Sequence, residues 1–81
     1  MNIFIGNLNE KIQDIHLKEA FSDYGSVESA KVITDRYTKK SKGYGFIVMP
    51  DDAEAQKAID TLNGGKWEGN IIVVNKAKNK I

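Results

Sequence analysis

The side chains of this 81-residue chain best suited to chemistry are three rings set among glycines and branched aliphatics. Phe4 lies in Asn2-Ile3-Phe4-Ile5-Gly6, and Tyr44 and Phe46 lie in Lys42-Gly43-Tyr44-Gly45-Phe46-Ile47-Val48-Met49. Such rings offer flat π faces for stacking, and Lys39, Lys40 and Lys42 just upstream offer ammonium groups that pair with anions. This is the chemistry of non-covalent recognition rather than of bond-making. The chain has no cysteine, which removes disulfides, thiolate metal sites and cysteine nucleophiles together. His16 is the single histidine, has no second ligand or nucleophile at matching spacing, and reads as a helix-flank surface residue. Gly43-Tyr44-Gly45 begins like a phosphate-binding G-x-G-x-x-G loop, but Val48 takes the third glycine's place and no helix follows directly. No enzyme activity, cofactor or metal is expected.

For the three rings to act together, the segments that carry them must lie side by side. Asn2 to Gly6 is β-branched and aromatic and reads as a first strand. Ile12, Ile15, Leu17, Ala20, Phe21 and Tyr24 recur at helical spacing, with Gly25 as the C-terminal cap. Val27 to Thr34 suits a second strand, Asp35 to Lys42 a polar basic loop, and Tyr44 to Met49 a third strand stopped by Pro50. Asp51 with Glu54 is a capping-box-like start to a second helix. Its stripe is Ala55, Ala58, Ile59 and Leu62, and it ends at Asn63-Gly64-Gly65. Trp67 falls in a connection, and Asn70 to Asn75 is the fourth strand. The order β-α-β-β-α-β predicts an α+β fold, the ferredoxin-like plait, with a four-stranded antiparallel sheet and two helices on one face.

Two helices cover one sheet face and leave the other open. Ile3 and Ile5 share a face, as do Gly45, Ile47 and Met49; these sets suit the helix side, which sends Phe4, Tyr44 and Phe46 to the open face. Val48 and Ile33 extend that face. A contiguous exposed aromatic patch marks a binding surface more often than an accident.

At 9.0 kDa the chain suits one domain, expected over residues 1–77, with a short basic tail over 78–81. The longest aliphatic runs, such as Ile71-Ile72-Val73-Val74, are too short to cross a membrane, no targeting segment is visible, and a cytoplasmic location is expected. The net charge is only +1, which by itself argues against a polyanion partner. Its distribution argues otherwise. Arg36, Lys39, Lys40 and Lys42 are uninterrupted by any acid, and Lys76, Lys78 and Lys80 follow the last strand, whereas Glu10, Asp14, Glu19, Asp23, Asp51, Asp52, Glu54 and Asp60 outnumber Lys11, Lys18 and Lys57 on and beside the helices. Basic runs flanking an aromatic platform favour a polyanion.

Lys42 to Met49 fits the octamer K/R-G-F/Y-G/A-F-V-x-F/Y at six of eight positions, with Ile47 conservative and Met49 a departure, and Ile3 to Leu8 fits its companion hexamer. On these motifs the chain resembles the RNA recognition motif family, and is similar to small single-domain bacterial RNA-binding proteins. Leu17, Phe21 and Gly25, then Asp35, Thr38 and Ser41, then the end of the second helix, extend the resemblance; Lys39 stands where many members have glycine. The resemblance implies single-stranded RNA as partner, with single-stranded DNA the near alternative, and a role in post-transcriptional regulation or RNA chaperoning. It implies stacking on Phe4, Tyr44 and Phe46, with Lys42 meeting a phosphate. Lys31, Asn7, Lys39, Lys40, Asn75, Lys76 and Lys78 are candidates for phosphate or polar contacts.

The plait also occurs in acylphosphatase-like and ligand-binding domains, so fold alone does not decide function. An acylphosphatase-like site wants an anion-binding arginine at the first-strand turn, and the sole arginine, Arg36, is in another loop. The rival reading is a protein-interaction module, its partner held on the helical face of a monomer. A substituted aromatic trio would favour that reading, and here the trio is intact.

Overall fold

The strands alternate buried and open side chains along the central sheet, and this alternation sets the architecture. A computed structural model describes residues 1–78. In chain order the elements are β1 (Asn2–Gly6), α1 (Asp14–Ser22), β2 (Ser29–Thr34), β3 (Ser41–Val48), α2 (Asp52–Leu62), β4 (Lys66–Trp67), β5 (Asn70–Ile71) and β6 (Val73–Lys76). The main sheet runs β2-β3-β1-β6 with antiparallel neighbours, and β4 pairs with β5 in a separate hairpin. This is the expected ferredoxin-like plait with β1 and β3 at its centre.

Ile3, Ile5, Ile47, Met49 and Val74 point to the helix side and are fully buried against Leu17, Phe21, Ala55, Ala58 and Ile59. Each large aliphatic enclosed in this way contributes about 1.5–3 kcal/mol relative to exposure. Gly45 shares that inner face because nothing larger fits. A Cβ there would lie 2.5 Å from the Lys31 carbonyl oxygen and 3.1 Å from Leu17 Cδ1.

Side chains also tie the helices to the two outer strands. In the first turn of α1, the Asp14 carboxylate accepts the Val32 N–H at 2.7 Å, and at the end of α2 the Asn63 side-chain oxygen accepts the Val74 N–H at 3.0 Å. Asp51 caps α2 by accepting the Glu54 N–H at 2.9 Å. The Glu54 carboxylate does not complete a reciprocal box; it accepts the Ser26 N–H, 3.3 Å away, and so holds the α1–β2 loop. His16 caps α1, its Nδ1 accepting the Gln13 N–H at 2.9 Å.

Several local expectations are corrected. The first helix ends at Ser22 with Asp23 as its cap, ahead of Gly25, and Ile15 is 52% exposed rather than part of the buried stripe. β2 begins at Ser29, two residues after Val27, and β3 already starts at Ser41. The single fourth strand expected over Asn70 to Asn75 is split at Ile72: Asn70–Ile71 turns back onto Lys66–Trp67, and Val73–Lys76 joins β1. Glu68 (φ 49°) and Gly69 (φ 83°) both lie in the left-handed region, as a two-residue type I′ hairpin turn demands. Of the basic tail, Lys78 is exposed, and residues 79–81, with Lys80, lie outside the described residues.

Candidate functional site

The strand register lays the open face out in rows. One row crosses all four strands as Lys31, Phe46, Phe4 and Asn75; the next holds Tyr44, Gly6 and Val73, and on the other side lie Ser29, Val48 and Asn2. Opposed residues in an antiparallel pair share a face, so these side chains are presented together. The three rings form one cluster. The Phe4 centroid is 6.0 Å from Tyr44 and 5.7 Å from Phe46, and Tyr44 and Phe46 are 6.2 Å apart, nearly perpendicular at 88°. Distances of 4.5–7 Å with tilted or edge-to-face geometry are the favoured aromatic arrangements, so the rings brace one another. All three are half-buried, each keeping part of its surface open.

The lysines stand at different stations. Lys31 is exposed directly beside Phe46, and Lys42 is exposed two residues before Tyr44. Lys39 and Lys40 sit with Glu10, Lys11 and Ser41 around a cleft between the β1–α1 and β2–β3 loops, at the rim of the face. Lys76 pairs with Ile3, which gives it helix-side parity and separates it from the ring row, although it is exposed. Lys78 follows Ala77, whose N–H donates to the Asn2 carbonyl at 2.8 Å. Among the described residues the single ion pair joins the Met1 ammonium to Asp52 at 3.5 Å, so these lysines bring ammonium groups without a carboxylate partner.

The two asparagines differ. Asn75 is exposed beside Phe4, where an amide can meet the edge of a stacked group. Asn7, in the left-handed conformation at φ 59°, donates its side-chain amide to the Ile71 carbonyl at 2.7 Å, while Asn70 donates to the Asn7 carbonyl at 3.1 Å. Asn9 adds a bond to the Glu68 carbonyl at 3.1 Å. These amides fasten the end of β1 to the β4–β5 hairpin, leaving Asn7 one side-chain N–H and its side-chain oxygen to offer.

Gly6, Val73, Asn2 and Ser29, which were not among the expected binding residues, complete the face together with the expected Ile33 and Val48. Gly6 lies under the Phe4 ring, where a Cβ would stand 2.9 Å from ring carbons Cε2 and Cζ. Its lack of a side chain lets the ring lie toward Tyr44. Val73, 42% exposed, and Asn2 and Ser29 border the cluster, and Ile33 and Val48 line a shallow cleft with Phe46 and Lys31. In the β2–β3 loop the Asp35 carboxylate accepts the N–H groups of Thr38 (2.9 Å) and Tyr37 (2.8 Å). Those bonds, with Lys42 nearby, hold its carboxyl below the usual aspartate range. The arrangement offers π faces, apolar margins, amides and exposed ammonium groups, a set matched to planar groups strung on an anionic backbone.

Comparison with known proteins gives the same pattern. The family model described as RNA recognition motif matches residues 3–73. The Synechocystis sp. protein named "Putative RNA-binding protein RbpA" is 41% identical over 78 residues, which are 96% of this chain and 77% of that protein. The crystal structure of RNA Binding Protein PG1 superposes with a TM-score of 0.96 at 40% identity, covering 100% of this chain and 98% of that one. A structure titled as a Sex-lethal protein/RNA complex superposes with a TM-score of 0.92 at 25% identity, over 98% of this chain and 47% of the other.

Proposed function

The chain belongs to the RNA recognition motif family, and from that premise we propose that its open sheet face binds a few nucleotides of single-stranded RNA. The observation that carries this reading is the clustering of the Phe4, Tyr44 and Phe46 ring centroids within 6.2 Å of one another, with Lys31 and Asn75 at the two ends of the Phe46–Phe4 row. Unpaired bases stack on the rings, each stack worth about 1–3 kcal/mol and tolerant of base identity. Lys31 and Lys42 take phosphates; Asn75 meets a base edge and contributes selectivity. Lys39, Lys40 and Lys78 add charge at the rim, and Asn7 acts mainly by fixing the end of β1.

The role is binding, without a catalytic step, and it suits control of RNA after transcription or the holding of RNA in unpaired form. RNA is favoured over single-stranded DNA to the extent that the face meets the 2′-hydroxyl, which competition with DNA of the same sequence measures. Affinity is expected near the micromolar range, about −8 kcal/mol, because stacking gains are offset by the cost of association. Titration of Phe4→Ala, Tyr44→Ala and Phe46→Ala against a random short RNA pool is the test. Each is expected to weaken binding by about 1–3 kcal/mol with the fold retained; unchanged affinity in all three would exclude the platform.

A further inference from the structure

Asn63-Gly64 is the one place in the chain where an asparagine precedes a glycine; the other six asparagines are followed by larger residues. The pair joins α2 to β6. The Asn63 N–H donates to the Ile59 carbonyl at 3.0 Å, the Asn63 side-chain oxygen accepts the Val74 N–H at 3.0 Å, and the Gly64 N–H donates to the Ile72 carbonyl at 2.9 Å. Gly64 lies in the left-handed region at φ 81°, which favours glycine, so the fold asks for both residues at this joint. Both are exposed, within reach of water and base.

The same pair is chemically weak. Once base has removed its proton, the Gly64 backbone nitrogen attacks Asn63 Cγ: a C–N bond closes a five-membered imide, the Cγ–Nδ2 bond breaks, and ammonia leaves with a proton from the medium in place of the one lost. Water then adds to either imide carbonyl, giving aspartate by one opening and isoaspartate by the other. A glycine nucleophile has no Cβ to hinder the approach. The folded joint opposes the closure twice. The Gly64 nitrogen must eclipse Asn63 Cβ about the Cα–C bond, and the backbone at ψ 128° holds it roughly a third of a turn away. The Gly64 proton is also committed to the Ile72 carbonyl. We propose that Asn63-Gly64 is a self-modification site that the α2–β6 joint holds shut, so that deamidation records how long the joint has stood open. Because β6 carries Asn75 beside Phe4, isoaspartate at the joint also loosens an edge of the open face.

The test follows the chain in mildly alkaline buffer by peptide mass mapping, native and unfolded in urea, with Ile59→Val and Asn63→Asp alongside. In urea the peptide holding Asn63 is expected to gain one dalton before any peptide holding another asparagine; another asparagine reacting first overturns the site. Native wild type should react at Asn63 at least about tenfold more slowly than in urea, the protection of a closed segment, and equal rates overturn the gate. Ile59→Val trims α2 beneath the joint; it should match wild type in urea and react about two- to tenfold faster when native. A variant that melts lower yet reacts at the native wild-type rate overturns the joint as the gate. Asn63→Asp keeps an oxygen for the Val74 N–H and should melt close to wild type, whereas the isoaspartate fraction, its backbone one carbon longer, should melt lower. Isoaspartate melting with wild type overturns the loosening of the sheet edge.

Discussion

Gly6 decides where the Phe4 ring can lie, and so it controls the platform without presenting any group to a ligand. A methyl group at 2.9 Å from Cε2 and Cζ must push the ring aside, because the backbone on which it would sit is fixed by β1's two neighbours. Gly6→Ala is therefore expected to weaken RNA binding about tenfold, comparable to loss of one stack. Its melting temperature should stay close to wild type, since alanine suits a strand at least as well as glycine and the displaced ring is free on its outer side. RNA titration alongside a thermal melt checks this, and wild-type affinity would show that the ring position is not fixed by Gly6. The ring residues themselves were legible from alternation, because Ile3, Ile5, Ile47 and Met49 had to face the helices. The same alternation puts Gly6 on the face of Phe4, but its close approach to the ring was not legible, since spacing carries no distance between a ring and the backbone two residues on. Asn7 and Lys76 were likewise ambiguous: a polar side chain carries no periodicity of its own, and here hydrogen bonds and parity direct both away from the rings.

The elements were legible where burial imposed a period and obscure where a turn was built from unusual residues. Both helices and the four main strands follow from the spacing of residues such as Leu17, Phe21, Ala55 and Ile59 and from the strand alternation. The β4–β5 hairpin escaped notice because its turn is Glu68-Gly69. Glutamate is a poor type I′ residue, and the turn is held by amides from Asn7, Asn9 and Asn70 that are distant in sequence or meaning. Ile15 is exposed because it lies two residues, about 200° of helix, before Leu17 and so faces away from the stripe of Leu17 and Phe21. The β2–β3 loop shows a similar mismatch between residue and conformation, with Lys39 left-handed at φ 65°. That conformation costs a non-glycine residue about 1–2 kcal/mol, and glycine gives back roughly 0.5–1 kcal/mol through its greater unfolded-state entropy. Lys39→Gly is expected to stabilise the domain by about 0.5–1 kcal/mol, a rise in melting temperature of roughly 2–8 °C for a domain this small. A fall in the melting temperature would mean that the lysine side chain, rather than the turn, determines the loop's stability.

The whole molecule is nearly neutral at +1, so the attraction it exerts at long range is modest and its charges act by position. Among the described residues no lysine beside or around the rings is in an ion pair, while the acids are concentrated on and beside the helices behind them. If two to four phosphates are neutralised, log K should fall with log salt at a slope of about −1.4 to −2.8, measured by titration across a series of salt concentrations. A flat dependence would remove the lysines from the interface. The two outer strands carry a separate consequence for this molecule at high concentration. An open sheet edge is a template on which another chain can add a strand, the usual route to edge-to-edge aggregation. Here the helices each send one side chain over an edge, Asp14 to the Val32 N–H of β2 and Asn63 to the Val74 N–H of β6. With those donors occupied, one pairing position on each outer strand is already taken, which weakens the template each edge offers to a strand of another copy.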